Sequence, residues 1–299
     1  MANILITGGN GLIGSHLAEK LTEHNVTLFD IAFGKNTEHL KCKKITGDIK
    51  KFSDVKAAAH NQDYVVHLAA VSRVAWGQED PLKCIETNVM GTSNVLEAIR
   101  ATGAYFFLGS SREVYGEPQY FPVDEKHPKN PISLYGVTKS TGENLALSYH
   151  KHFGARTIIF RFSNVYGSKR DLPQRVIPKF VNLALKNQDI ILYGGDQILD
   201  FTFIDDVVGG IRLALKKADK IVGEDFHFVN GKGTSVKELA ELIVLLSGSK
   251  SRIVPEAPKN FDVKKFIGDT SKAKRMLGYE PTTGLKEGLK KTIALYQGA

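Results

Sequence analysis

The segment Thr7-Gly8-Gly9-Asn10-Gly11-Leu12-Ile13-Gly14 constrains the fold more than any other stretch of the 299 residues. It follows an apolar run over residues 3–7 and opens an amphipathic stretch that starts at Leu12. The spacing satisfies GxGxxG from Gly9 to Gly14, and TGxxGxxG through Gly8, Gly11 and Gly14. Glycines so placed let the chain turn tightly, let the backbone approach a pyrophosphate, and let the helix pack close to the sheet. The helix N-terminus presents N–H groups and a positive dipole end to phosphate. Gly8, Gly11, Leu12, Ile13 and Gly14 are therefore the candidate cradle of a dinucleotide.

The surrounding pattern agrees with that local reading. Over the first 165 residues, short apolar runs (3–7, 25–30, 43–47, 64–68, 104–109 and 155–161) alternate with helix candidates at 12–24, 53–60, 81–102 and 134–152. Alternation of this kind implies βα units and a parallel sheet buried on both faces. From Ser168 the rhythm breaks. Helices are expected at 174–186, 206–217, 235–247, 271–277 and 285–296, with strands at 190–193, 200–204 and 224–229. The last of these is expected to return to the first sheet, so two lobes interleave. Residues 1–167 with about 200–230 form one; 168–199 and 231–299 form the other.

Composition narrows the classes of function. No apolar run approaches the ~20 residues of a membrane span, and the first residues lack the basic region of a secretory signal. Cys42 and Cys84 stand outside metal or redox spacing, and the nine histidines form no HExxH or Cys/His cluster. A cytoplasmic protein without a bound metal or membrane contact is expected. The net charge of +8 is spread along the chain, densest at 41–51 and 264–275, without the basic and aromatic stripe of a nucleic-acid binder.

Asp30 ends the second apolar run, 16 residues beyond Gly14. A carboxylate there accepts both adenosine-ribose hydroxyls and repels a 2′-phosphate, which favours NAD over NADP. Tyr135-Gly136-Val137-Thr138-Lys139 puts Tyr135 and Lys139 on one helix face. A tyrosine titrating near about 10 is a poor base at neutral pH, and an ammonium one turn away favours its phenolate. Ser111 lies 24 residues earlier, in the Gly109-Ser110-Ser111 turn that ends the fifth run, where its hydroxyl meets the same substrate oxygen.

The glycine motif, His67-Leu68-Ala69-Ala70, Ser111 with Tyr135 and Lys139, and Arg161-Phe162-Ser163-Asn164-Val165-Tyr166-Gly167 together resemble the extended short-chain dehydrogenase/reductase family, in its NAD-dependent epimerase/dehydratase branch that includes UDP-glucose 4-epimerase. Matches continue through Val176-Ile177-Pro178, Asp200 to Val207 and Asp269 to Ala273, nearly the whole chain. The resemblance implies an α/β fold: a Rossmann-like doubly wound parallel sheet with a smaller, interleaved C-terminal substrate domain, often as a homodimer. It implies that Asp48 and Ile49 flank the adenine, that Leu68, Ala69 and Ala70 line the nicotinamide side, and that Asn88 braces the sheet near the cofactor. Phe162 would lie beside the nicotinamide, and Asn164 would hydrogen-bond a nucleotide-sugar substrate.

The implied chemistry is 4-epimerisation. Tyr135 takes the sugar 4-hydroxyl proton as hydride leaves C4 for NAD, Ser111 steadies the ketone, Lys139 holds the cofactor ribose, and hydride returns to the other face. Three departures bear on the substrate. Leu199 stands where many relatives carry an arginine for the diphosphate, and Lys259-Asn260-Phe261-Asp262-Val263 replaces Arg-Pro-Gly-Asp-Val. Lys259 supplies charge without a bidentate fork, leaving Arg170, Arg175 and Lys179 as candidate substitutes. Arg112 stands where 4,6-dehydratases carry an acid, and a guanidinium donates no proton at neutral pH. Glu113, the third candidate substrate contact beside Ser111 and Tyr135, is shared with decarboxylases of UDP-glucuronate. Decarboxylase, dehydratase and non-catalytic NAD-binding sensor thus stand as alternatives to the epimerase.

Overall fold

The computed structural model describes residues 1–257 and 263–298. The strands are β1 (Asn3–Thr7), β2 (Asn25–Asp30), β3 (Lys43–Thr46), β4 (Tyr64–His67), β5 (Tyr105–Ser111), β6 (Arg156–Phe162), β7 (Asn164–Tyr166), β8 (Ile190–Tyr193), β9 (Ile198–Phe203), β10 (Asp225–Phe228), β11 (Gly233–Ser235) and β12 (Ile253–Glu256). The α-helices are α1 (Leu12–Lys20), α2 (Phe52–Ala59), α3 (Val74–Glu79), α4 (Pro81–Ile85), α5 (Gly91–Thr102), α6 (Leu134–Phe153), α7 (Val176–Leu185), α8 (Ile204–Lys216), α9 (Val236–Ser247), α10 (Ser271–Leu277) and α11 (Leu285–Gln297).

Seven strands form one sheet in the order β10-β6-β5-β4-β1-β2-β3, and every pairing from β3 through β6 is parallel. Continuous burial explains the continuous apolar runs: every residue of β5 is buried, and all of β1 except Asn3. Alternate strand residues Leu5, Phe29, Val65, Phe106 and Ile159 pack with Val55, Val95, Ile99 and Ala146 in one apolar cluster under α2, α5 and α6. Burying each large aliphatic or aromatic side chain is worth roughly 1.5–3 kcal/mol. After β3 the chain returns to the far side of β1 to build β4. The order therefore reverses at β1, and open α/β sheets bind ligands at the C-terminal strand ends beside such a reversal.

Two compact units emerge. One contains Met1–Gly116, Pro128–Phe162 and Val208–Phe226; the other contains Glu117–His127, Ser163–Val207 and the chain from His227 onward. This division differs from the expected boundaries at residues 117–127, 163–167, 200–207 and 227–230. Hydrogen bonding gives the reason: β7 pairs with β9, and β9 with β11, in a separate three-stranded sheet. Residues 117–127 join the same unit because the Val123 N–H donates to Ile267 O (2.8 Å) and Glu125 Oε1 accepts from the His227 N–H (2.9 Å). At its centre Asp200 is wholly buried, accepting from the Asn230 N–H (2.9 Å), the Gly231 N–H (2.8 Å) and the Thr202 hydroxyl (3.3 Å).

The helix expected over 81–102 is instead α4, a π-helical stretch at Glu86–Met90, and α5. Asp80 caps α4 by accepting from the Lys83 N–H (3.1 Å), with Pro81 at the first helical position. The π-helical stretch carries Asn88, in keeping with the frequent placement of such bulges at functional sites.

Helix α6 is defined at both ends. Ser133 Oγ accepts from the Gly136 N–H (3.1 Å), and Gly154 closes the helix at a positive φ of 68°. Its buried stripe, Tyr135, Thr138, Lys139, Gly142, Glu143 and Ala146, carries more polar groups than a core face tolerates without partners. Glu143 is fully buried and accepts from Arg161 Nε and Nη2 (both 2.8 Å), Ser110 Oγ (2.5 Å) and Lys129 Nζ (3.0 Å). Burial alone would raise its carboxyl, but these partners, Arg161 foremost, hold it below the ordinary range. Glu143→Ala would take the main partner from a buried guanidinium that Asp225 pairs only in part, so urea denaturation should show a loss of up to about 3–5 kcal/mol. An unchanged midpoint would mean that water or Asp225 already satisfies Arg161.

Candidate active site

The glycine turn has the shape its sequence demands. Gly8 adopts a left-handed φ of 69°, and a Cβ on it would fall 2.7 Å from the Ala69 nitrogen. A Cβ on Gly14 would come within 2.4 Å of the Gly8 carbonyl oxygen. Strand-to-helix turn and the β4 exit are thus pressed together, with no room for a side chain. Helix α1 then starts after Gly11 without a side-chain cap, so no side chain of its N-cap competes with an anion for its first N–H groups. These features fit a dinucleotide pyrophosphate.

At the end of β2, Asp30 Oδ2 accepts from the Asn10 N–H (2.9 Å) and Oδ1 from the Ile31 N–H (2.8 Å). Burial pushes its carboxyl up, and those N–H bonds oppose the shift. Further along, Asp48 Oδ1 accepts from the Lys50 N–H (2.9 Å), and the Ile49 side chain is buried in the core cluster. Any contact of Ile49 with adenine would therefore use its main chain.

A buried polar chain runs beneath the glycine turn. Thr92 Oγ1 donates to Asn88 O (2.6 Å), so it accepts from His67 Nε2 (3.0 Å); His67 Nδ1 is then the acceptor for the Thr7 hydroxyl (2.7 Å). Thr7 Oγ1 in turn accepts from the Ala69 N–H (3.3 Å). Burial, assisted by the Lys139 charge, depresses His67 to about 3, which matches this neutral tautomer. The Asn88 amide grips Val71 by both main-chain groups (2.8 and 3.1 Å) and donates to Thr138 Oγ1 (2.9 Å), between Tyr135 and Lys139. Asn88 thereby fixes the backbone just beyond Leu68, Ala69 and Ala70.

Ser111 is the last residue of β5, and Tyr135 and Lys139 lie one turn apart on the buried stripe of α6, which packs against that strand. Lys139 Nζ donates to Gly109 O (2.8 Å) and lies 6.0 Å from the Tyr135 ring centroid. Burial lowers the ammonium to about 8, even though nearby Cys84 and Glu143 favour its charged form. Ser111 Oγ accepts from the Glu113 N–H (3.2 Å) across a short 3₁₀ turn. Phe162, buried at the end of β6, would meet Gly109 with its ring edge at 3.3 Å if that glycine bore a Cβ. Arg112 Nη2 and Glu113 Oε1 form an ion pair at 2.9 Å, with side chains only 12% and 10% exposed.

In the second unit, the half-buried Asn164 donates from Nδ2 to Asp200 O (3.3 Å), and Arg175 makes long contacts to Val165 O (3.4 Å) and Asp171 (3.5 Å). Lys259 lies outside the described residues. Sequence reasoning passed over the Thr7–His67–Thr92 chain and the Glu143–Arg161 pair. Repetition of the four-residue step from Tyr135 to Lys139 to Glu143 was the available signal for the latter. Asp30 supplies the test of this site. NAD should bind at least about tenfold more tightly than NADP by calorimetry, and Asp30→Ala should narrow the gap. Preference of the unmodified protein for NADP would overturn the ribose assignment.

Comparison with known proteins agrees with this geometry. Residues 4–228 match the model of the NAD dependent epimerase/dehydratase family. The chain is 37% identical over 300 residues to a putative UDP-glucose 4-epimerase of Methanocaldococcus jannaschii, covering 97% of each chain. It is 32% identical to UDP-glucuronic acid decarboxylase 1 of Danio rerio, over 98% of this chain and 72% of that one. UDP-glucose 4-epimerase of Thermotoga maritima, solved with UDP-glucose, superposes with a TM-score of 0.93 at 32% identity over 99% of both chains. With its sheet order, glycine turn and matched sequence taken together, the chain belongs to the NAD dependent epimerase/dehydratase family, whose cofactor is NAD.

Proposed function

We propose that the chain is a nucleotide-sugar 4-epimerase of the UDP-glucose/UDP-galactose type, with Ser111, Tyr135 and Lys139 as its catalytic residues. The observation that carries the reaction type is the Arg112–Glu113 ion pair directly after Ser111. Elimination of water needs a proton donor beside the sugar. Arg112 cannot be one, and the Glu113 carboxylate is committed to the guanidinium.

Gly8, Gly11, Leu12, Ile13, Gly14 and Asp30 would hold the NAD pyrophosphate and adenosine ribose, with Asp48 and Ile49 at the adenine and Ala69, Ala70 and Phe162 at the nicotinamide. When bound, NAD accepts hydride from sugar C4 and later returns it. Tyr135 takes the proton from the sugar 4-hydroxyl and gives it back to the opposite epimer. Lys139, anchored on Gly109 O, favours the phenolate electrostatically. Ser111 donates to the ketone oxygen, since its own oxygen already accepts from the Glu113 N–H. Asn164 and Arg175 are proposed contacts to the nucleotide sugar, and Lys259 a proposed diphosphate cation. Free Cys42 and Cys84 are compatible with the proposed cytoplasmic location, and a homodimer is the proposed assembly.

A second reading, decarboxylation of UDP-glucuronate, is favoured by Glu113 and by the decarboxylase relatives. Product analysis by NMR separates the two. UDP-glucose should convert to its 4-epimer without net NADH, and Tyr135→Phe should retain NAD while losing about 10²–10⁴-fold in turnover. A stable 4-keto-6-deoxy sugar would establish elimination. Carbon dioxide release from UDP-glucuronate, abolished by Glu113→Gln, would establish the decarboxylase. No turnover with NAD bound would leave a binding protein.

A further inference from the structure

Asn94 takes no part in the proposed chemistry, yet it grips the segment proposed to meet adenine. From a half-buried position on α5, its Nδ2 donates to two consecutive main-chain carbonyls, Ile49 O (2.9 Å) and Lys50 O (3.0 Å). A carbonyl can only accept, so these contacts also fix which way the amide is turned. One turn earlier on the same helix, Gly91 makes room for Ile49: a Cβ there would fall 2.5 Å from Ile49 Cδ1. Helix α5 thus receives both the side chain and the main chain of this segment.

The Ile49–Lys50 peptide is held at both ends. Its oxygen accepts from Asn94, and its N–H donates to Asp48 Oδ1 (2.9 Å). A peptide that accepts at one end donates better at the other, because the two bonds polarise it in the same direction. The Asp48 N–H donates to Asp54 Oδ2 (3.2 Å), which anchors the start of the turn. Asp48 Oδ2 lies 3.8 Å from Lys50 Nζ, an exposed ammonium that also faces Glu86 Oε2 at 3.6 Å. An ionised carboxylate accepts and does not donate. Fixed through Oδ1, the Asp48 carboxylate suits a donor such as the 6-amino group of adenine. It opposes a 6-oxo purine, whose oxygen can only accept.

We infer that Asn94 is a positioning residue for base recognition, which orients the Asp48 carboxylate through the Ile49–Lys50 peptide. The inference rests on the adenine placement proposed for Asp48 and Ile49. It adds a residue that touches no cofactor and yet sets which base the cofactor carries.

The test is calorimetry on the full chain with NAD and with its hypoxanthine analogue, in the unmodified protein and in Asn94→Ala, Asn94→Asp and Asp48→Ala. A hydrogen bond to a charged group is at stake, so the unmodified protein should prefer NAD by about tenfold or more. All three variants should bring that preference within about threefold of unity, with the change mostly in NAD affinity. A merely structural role for Asn94 would weaken both dinucleotides alike and leave their ratio in place. Turnover at saturating NAD should stay within about threefold in the Asn94 variants, since the lost contact serves binding. If Asn94→Ala does not fold, the nearly isosteric Asn94→Asp, which replaces the donor by an acceptor, still reads the ratio. A preference lost in Asp48→Ala but kept in the folded Asn94 variants would overturn the inference alone. No preference in the unmodified protein, or one that survives in Asp48→Ala, would overturn it together with the adenine placement. Should the protein turn over no sugar nucleotide, the binding ratios still decide the role of Asn94.

Discussion

The Glu143–Arg161 pair is the contact on which the placement of the proposed catalytic groups depends. It lies at the seam between α6 and the sheet, with both side chains essentially out of water, and joins helix to β6 by two 2.8 Å hydrogen bonds. Arg161 also bonds Tyr115 Oη (2.8 Å) and pairs with Asp225 (2.7 Å), so helix, β6, β10 and the segment after β5 share one charged centre. Breaking it would deprive a buried charge of its main partner at a cost of up to about 3–5 kcal/mol, a large part of the ~5–15 kcal/mol that holds a domain folded. Because Glu143, Lys139 and Tyr135 recur at four-residue steps, fixing Glu143 fixes the rotation of α6. That rotation presents Tyr135 and Lys139 to the end of β5.

The cofactor side is held by neutral groups. His67 bridges Thr7 and Thr92, while Asn88 bridges Val71 and Thr138, so the glycine turn, the β4 exit and α6 are connected by hydrogen bonds of defined direction. A charged imidazolium would carry a proton on Nδ1 and could not accept from Thr7. Burial prevents that, keeping His67 neutral down to about pH 3. Two kinds of buried polarity thus meet on α6, one charged at Glu143 and one neutral at Thr138.

Local signals were legible in the sequence, and tertiary ones were not. The glycine turn, Asp30 at a strand end and the Tyr135–Lys139 spacing each require only a few neighbouring residues and one period. Strands β7, β11 and β12 have three or four residues, too few for periodicity to register, and β7 and β11 belong to a sheet that exists only through pairing with β9. The π-helical stretch around Asn88 is invisible to a 3.6-residue pattern. Glu143 and Arg161 are separated by 18 positions and by a turn, so their pairing follows from the packing of α6 on β6. Residues 117–127 look like a loop of the first unit, yet their hydrogen bonds to Ile267 and His227 place them in the second.

The proposed chemistry makes one central claim, that Tyr135 moves a proton while the hydrogen on sugar C4 leaves and returns. Isotope tracing addresses that claim without reference to any variant. UDP-glucose carrying deuterium at C4 should give UDP-galactose that retains the deuterium at C4, with none appearing in water and none introduced when the reaction is run on unlabelled sugar in D₂O. Loss of the label to solvent would show that C4 is deprotonated or that the hydride exchanges, contradicting the account.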